Sequence, residues 1–445
     1  MNPAPSFPVL IRLSITAAVL LMSTNLQAEW PQFRGPRGDG VAEVKDAPLR
    51  WSPTENIAWR TEVPGTGWSS PVLLGDKIWI TTADVEEATK EQFEKKLADA
   101  PPFAQRTSAL ASRVVLKAVE VDLATGELGK VVELFEVTDP DPVHATNSYA
   151  SPTPVTDGTH LYCHFGTYGT VCVDPASGKI LWKNEEHRLR HNVGPGSSPI
   201  LEGEHLILAC DGVDLQYVAA LDKETGKTVW RTERPEHRNE DGDRLKAYTT
   251  PLMVRSPERT QVVILGAQWL CGYDPNTGEE LWRFDHGEGF SNVPTPVHKD
   301  GVVFISTGFT RPELVAVRID GDGDVTETHE LWRMNRQVPT KPSPVLVDNR
   351  LYMVSDRGVA TCVDIKTGET VWVERLGGNH STSPTLAEGR IYFSDEDGKT
   401  TVLQPGDQYK VLAENDLKEQ IMATPIFLDG LIILRTDKAV YRIGT

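Results

Sequence analysis

The chain has 445 residues with 24% charged and 39% hydrophobic side chains, a soluble globular composition. Its net charge of -18 and pI near 5.1 exclude a polyanion-binding surface, so nucleic acid is not expected as a partner. Five cysteines (Cys163, Cys172, Cys210, Cys271 and Cys362) are too few for a disulfide-built scaffold.

Residues 1–28 carry a lone Arg12, an apolar run from Leu13 to Met22 and a small residue at Ala28. That order predicts a secretory signal peptide cleaved after Ala28. No later apolar run is long enough to span a bilayer, so the mature chain is expected to be exported without a membrane span, to the periplasm or cell envelope. Residues 29–445 are then read as one unit, opening with a Gly-, Pro- and Arg-rich arm, WPQFRGPRGDG. Strand alternation follows over Asn56 to Val63, around Trp59.

Eight Ser-Pro or Thr-Pro pairs then punctuate the chain, with prolines at 71, 152, 199, 251, 296, 344, 384 and 425. Each precedes a short apolar strand, and tight turns such as Asp157-Gly158, Asp300-Gly301 and Asp429-Gly430 lead into a second strand. The prolines are 40 to 52 residues apart, except for a first interval of 81. That period holds four short strands, the signature of a β-propeller blade. The long interval holds an insertion over residues 84–113, where VEEATKEQFEKKLADA predicts an exposed helix stopped by Pro101-Pro102.

The fold expected is all-β: an eight-bladed β-propeller of four-stranded antiparallel blades. The last copy supplies only three strands before the chain stops, and the orphan strand around Trp59 supplies the fourth, closing the ring. Cys163 and Cys172 flank the FGTYG turn, which would set them opposite each other; a disulfide and two buried apolar thiols are both open readings.

Four junctions repeat one spacing: a small residue, then Asp, Thr or Ser, Gly and Trp. They are Asp174, Gly178 and Trp182; Asp222, Gly226 and Trp230; Asp274, Gly278 and Trp282; and Asp364, Gly368 and Trp372. Asp caps the turn, Gly takes the positive φ, and Trp buries a flat area against the next blade. Trp59 and Trp332 join this blade-docking set. Blade one has Lys130 at the Trp position, and blade five an extended turn, RIDGDGDVTETHELW.

This pattern resembles the tryptophan-docking motif of the pyrroloquinoline-quinone (PQQ) dehydrogenases and their repeat relatives, which include the propeller lipoprotein that scaffolds outer-membrane protein assembly. The resemblance covers residues 56–445 and implies the propeller, not the quinone, since many relatives keep the motif without any cofactor. A quinoprotein dehydrogenase would be expected to carry adjacent cysteines, and this chain has no Cys-Cys and no C-x-x-C-H haem motif.

No catalytic residue is assigned, because no nucleophile, metalloprotease or phosphate-loop motif appears. Asp320, Asp322 and Asp324 form a weak calcium candidate, since Val325 and Leu331 occupy the places where a calcium loop needs Gly and Glu. A candidate ligand-binding set lies ahead of the Ser/Thr-Pro pairs, on one face near the central channel. It comprises Trp68, His144, Asn147, Tyr149, His191, Asn192, Tyr248, Asn292, Lys341, Asn379 and His380. His144 and His191 share an offset of eight residues before Pro152 and Pro199.

The reading is a non-enzymatic binding or scaffold protein of the envelope. Its partner would be an envelope protein or a small ligand, and no cofactor is expected. The alternative is a minimal PQQ-dependent dehydrogenase using PQQ with calcium at the channel mouth.

Overall fold

Wherever a Ser/Thr-Pro pair starts an apolar run, the computed structural model shows the innermost strand of a four-stranded antiparallel blade. The structure describes Met1 and residues 30–444 except 99 and 101; apart from Met1, the expected signal peptide lies outside the described residues. Eight such sheets form the propeller. Blade three is representative, with strands Ile200–Glu202, His205–Asp211, Gln216–Asp222 and Thr228–Glu233 paired in sequence order.

Burial explains the sequence pattern of each strand. Second and third strands are covered on both faces by neighbouring blades, so Leu161–His164 and Val302–Ser306 are almost wholly buried and read as continuous apolar runs. Outer strands face solvent on one side, and Lys179–Asn184 alternates accordingly.

Blade eight closes the ring as expected. Its strands Ile426–Leu428, Leu431–Arg435 and Ala439–Ile443 come from the C-terminus, and Ile57–Glu62 pairs antiparallel with the last of them. The Trp59 indole then donates to the Leu123 carbonyl of blade one at 3.1 Å.

That contact recurs around the lower outer rim. Trp182, Trp230, Trp332 and Trp372 donate to the carbonyls of Lys223, Pro275, Ile365 and Gly406 in the following blade. The turn glycine is where the indole lands. A Cβ on Gly126 would lie 2.6 Å from Trp59, and one on Gly368 2.6 Å from Trp332, both at positive φ.

Trp282 departs from this set. Blade five has no Asp-x-x-Thr-Gly turn to receive it; instead Gly323–Asp324 of the extended turn pairs parallel with blade four's outer strand, opposite Trp282. The indole is fully buried and donates to Gln261 Oε1, within its own blade, at 2.6 Å.

The Ser/Thr-Pro pairs have a second role beyond starting strands. Backbone N–H groups of Ser70, Thr153, Ser198, Thr295, Ser343 and Ser383 donate at 2.9–3.1 Å to hydroxyls of Thr153, Ser198, Thr250, Ser343, Ser383 and Thr424, each in the next blade. The proline that follows leaves no unpaired N–H facing the channel. In blade two this position is Thr153-Pro154, not Ser151-Pro152. The equivalence expected between His144 and His191 is therefore two residues out of step.

The cysteine geometry is also corrected. Cys163 pairs with Val171 and Cys172 with Tyr162, so the two are staggered and not opposite. Cys163 packs toward blade one and Cys172 toward blade three, and all five cysteines are buried free thiols.

Candidate functional site: a cup at the channel mouth

The arm ahead of the first strand forms a floor. Trp30 accepts from Leu73 N–H of blade one, and Pro31 from Thr156 N–H of blade two, both at 2.9 Å. Arg34 Nη2 donates to the Pro344 carbonyl of blade six at 2.6 Å, and Val41–Ala42 pairs parallel with the innermost strand of blade seven. The arm thus crosses beneath the ring. Burial lowers the Arg34 guanidinium to about 10 despite the opposing charge of Asp39, and three carbonyls hold it.

Above this floor lies a cavity of about 1320 Å³, walled by Ser70, Thr153, Ser198, Thr250, Ser343, Ser383 and Thr424 of the hydroxyl ring, with Phe33 of the arm. The insertion overhangs it. Strands Lys77–Glu87 and Ala111–Asp122 run past the disc and carry two short helices, Lys90–Lys96 and Pro102–Thr107. Helix formation starts later than the charged run suggests, because Val85 to Glu87 belong to the long strand. Thr89 and Gln92 close a capping box on the first helix. Ser108–Ala109 pairs with Val143–His144, and Lys96 bonds Asp139, which ties the overhang to the wall.

Six of the eleven candidate residues line the cup: Trp68, His144, Asn147, Asn192, Tyr248 and Lys341. Asn147 donates to the Val193 and Pro195 carbonyls and accepts from Ser151 Oγ. Asn192 bonds Asp243, and Lys341 bonds Glu396. The Tyr248 hydroxyl donates to the His191 carbonyl at 2.9 Å. Burial, then the charge of Lys341, lowers the His144 pKa, favouring the neutral ring.

The other five stand elsewhere. Tyr149 is buried behind the insertion, donating to the Asp141 carbonyl. His191 is buried against Tyr248, its pKa lowered to about 4 by desolvation. His380 is buried against the Gly377 carbonyl, and Asn379 is exposed outside the cup lining. Asn292 is fully buried. Its side chain accepts from Gly308 N–H and donates to the Gly266 carbonyl, while its own carbonyl accepts from Tyr248 N–H. It clamps three loops.

Pattern reasoning did not reach Phe33, Arg190, Arg244, Phe290, Val293 and Phe309, all on the cup wall. The signal available was an aromatic next to glycine in otherwise polar loops, GEGFSN and TGFTRP.

The Asp320, Asp322 and Asp324 carboxylates do not converge. Asp322 bonds Arg259, Asp320 faces His329 and Arg318, and Asp324 caps the Thr326 N–H.

Comparison with known proteins decides the family. The model described as outer membrane protein assembly factor BamB matches residues 75–271, 266–325 and 321–408. The chain belongs to the BamB family. Curated relatives named outer membrane protein assembly factor BamB include one from Nitrosomonas eutropha, 24% identical over 55% of this chain, and one from Shewanella oneidensis, 22% identical over 64%. The match spans about half of the Nitrosomonas protein's own length, 55%, and 72% of the Shewanella protein's.

Among solved structures, BamB from Moraxella catarrhalis aligns with a TM-score of 0.51 at 14% identity, over 76% of this chain and 94% of that one. A europium-containing methanol dehydrogenase aligns at 0.61 and 11% identity, over 93% and 90%. At these identities the likeness is one of fold.

Two of the four carboxylates lining the cup are already taken up by protein donors, which disfavours a quinone held with calcium there. Asp243 is engaged by Lys246 and Asn192, and Asp356 by the Thr340 N–H and hydroxyl, so these wall carboxylates already bind protein donors. The five thiols are buried in the blade cores, away from the cavity lining.

Proposed function

We propose that the protein is exported and acts as a non-enzymatic binding scaffold at the cell envelope, seating part of a partner protein in the cup. The signal sequence, residues 1–28, would be removed to leave 29–445 as one propeller. The observation that carries this reading is a concave seat, floored by the arm and open above, several of whose polar side chains are committed to holding its walls. Such a surface offers shape and a preorganised rim, as a docking site requires. Membership of a family whose relatives are named for outer membrane protein assembly supports the envelope setting.

The test is site-specific photocrosslinking in intact envelopes. A benzoylphenylalanine replacing Val293 or Lys341 should yield the same discrete protein adduct, absent when the probe replaces exposed Val229 on an outer blade edge. Stoichiometric uptake of PQQ with calcium, seen as a new absorbance band and a raised Tm, would instead favour the dehydrogenase alternative. N-terminal sequencing of the mature protein checks cleavage after Ala28.

A further inference from the structure

One quadrant of the mouth is built unlike the rest. Phe309 is 47% exposed and Val293 36% exposed, while Phe290 packs edge-on against Phe309 with ring centroids 6.0 Å apart. Leaving these apolar groups in water forgoes the stabilisation their burial would bring. The backbone that presents them is strained too. Thr310, a β-branched residue, sits at φ 79°, and Ser291 at φ 51°.

Core packing does not require that strain, since the side chains it aims point outward. Asn292 holds both loops in place, and Phe309 N–H donates to the Phe290 carbonyl at 3.1 Å. Hydrogen bonds within the chain thus join the two loops to each other.

Its charges are mixed, Asp241 and Asp243 lining the same mouth as Arg190 and Arg244. In a chain of net charge -18, Arg244 lies over the Phe290 ring at 5.8 Å, its nearest carboxylate, Asp241, being 3.9 Å away. Arg190 and Arg311 are exposed and have no ion pair within 4.0 Å among the described residues, although Arg190 acts electrostatically on Asp243 of the same wall. Arg190 lines the mouth, and Arg311 stands between Thr310 and Pro312, which also line it. Exposed rings beside guanidinium groups, of which only Arg244 has a carboxylate partner and a long one, match an apolar side chain neighboured by carboxylates.

We infer that this rim quadrant is the docking subsite for an extended, acidic peptide segment. An aromatic or leucine side chain would pack between Phe290, Phe309 and Val293, with adjacent Asp or Glu meeting Arg244, Arg190 and Arg311. The inference rests on the scaffold reading and names the chemistry of its partner. Asn292 is a positioning residue here, not a contact.

The test is panning of phage-displayed short random peptides against the full-length mature protein. The expected result is enrichment of peptides with an aromatic or leucine beside Asp or Glu. Their affinity should fall about tenfold or more in Phe309→Ala and in Arg311→Glu, both of which should melt like the parent because those side chains are exposed. The loss should also lessen as salt weakens the parent's own binding, for the arginine variant only. Recovery of basic or purely polar peptides, no enrichment over the Phe309→Ala protein, or peptides insensitive to both substitutions would overturn it. Crosslinks to an envelope protein from Lys341 but not Val293, with no acidic enrichment, would leave the scaffold standing and remove this subsite. Acidic enrichment without any envelope adduct would do the reverse.

Discussion

The lower and upper faces of the ring use one repeat to different ends. Below, the turns agree: Asp222 accepts from Thr225, Gly226 receives Trp182, and the same exchange recurs from blade to blade. Above, no two connecting loops match, and buried histidines, a clamped asparagine and exposed aromatics replace the repeated turn. Uniformity below gives five of the eight interfaces the same lock. Divergence above costs some of that regularity and leaves surface free for recognition.

The largest expected effect comes from removing the lock that the N-terminus provides. Deleting residues 30–62 takes away the floor and the outer strand of blade eight together, exposing the Ala439–Ile443 edge. Loss of cooperative unfolding, read by calorimetry, is expected, because each blade is supported only by its neighbours. A deletion that melts like the parent would show that the ring does not depend on this closure.

Next in size is the contrast between two tryptophans. Trp282→Ala empties a fully buried site and strands Gln261 Oε1, so a loss of about 3–5 kcal/mol is expected in denaturant titrations. Trp182→Ala removes a partly exposed indole and one bond to a carbonyl, for roughly 1–3 kcal/mol. Equal losses would mean that rim docking is worth as much as core burial.

Acid should separate the two faces. Burial holds His164 at about 3 and His191 and His286 at about 4, below the ordinary 6.5. The unfolded chain therefore takes up protons first, and the stability these neutral rings permit is intact above pH 6.5 and lost as pH falls toward 4. Fully titrated, the three rings together account for on the order of 10 kcal/mol by the linkage relation. Lower-face carboxylates behave differently: Asp222 is lowered from 3.8 by its bond from Thr225, and Asp174 by its bond from Ser177, so their contribution persists until pH drops below 3.8. Hydrogen exchange at pH 5 should show residues 187–195 and 286–292 losing protection while the turns at Asp174 and Asp222 keep theirs. Simultaneous loss on both faces would contradict the division.

Blade number, blade length and the way the ring closes were all legible, because a propeller writes each blade as a separate copy and errors in one copy are corrected by the others. Trp282 was misplaced for a related reason. Its motif is intact, but docking needs a receiving turn in the next copy, and blade five lacks it. The cup was only half legible. Side-chain direction in a non-repeating loop depends on which neighbour it meets, so Tyr149, His191 and Asn292 turned into the wall while Trp68 and Lys341 faced the cavity. The floor could not be read at all, since its contacts reach blades one, two, six and seven from a single short arm.

The smallest effects lie in the hydroxyl ring that joins the two faces. Ser383 Oγ accepts the Ser343 N–H at 3.0 Å in a buried position, so Ser383→Ala leaves that donor unpaired and is expected to cost about 1–3 kcal/mol. Thr295 occupies the same place in blade five, but its buried Oγ1 has no hydrogen-bond partner among the described residues. Thr295→Val keeps the shape, keeps the backbone N–H that donates to Ser343, and removes a hydroxyl that was desolvated for nothing. Its expected effect is within about 0.5 kcal/mol of zero, on the stabilising side. If both substitutions cost the same, the ring hydroxyls act by bulk alone. If only Ser383→Ala is costly, the blade-to-blade hydrogen bond is what these Ser/Thr hydroxyls supply, and Thr295 of blade five marks a place where the ring goes without it.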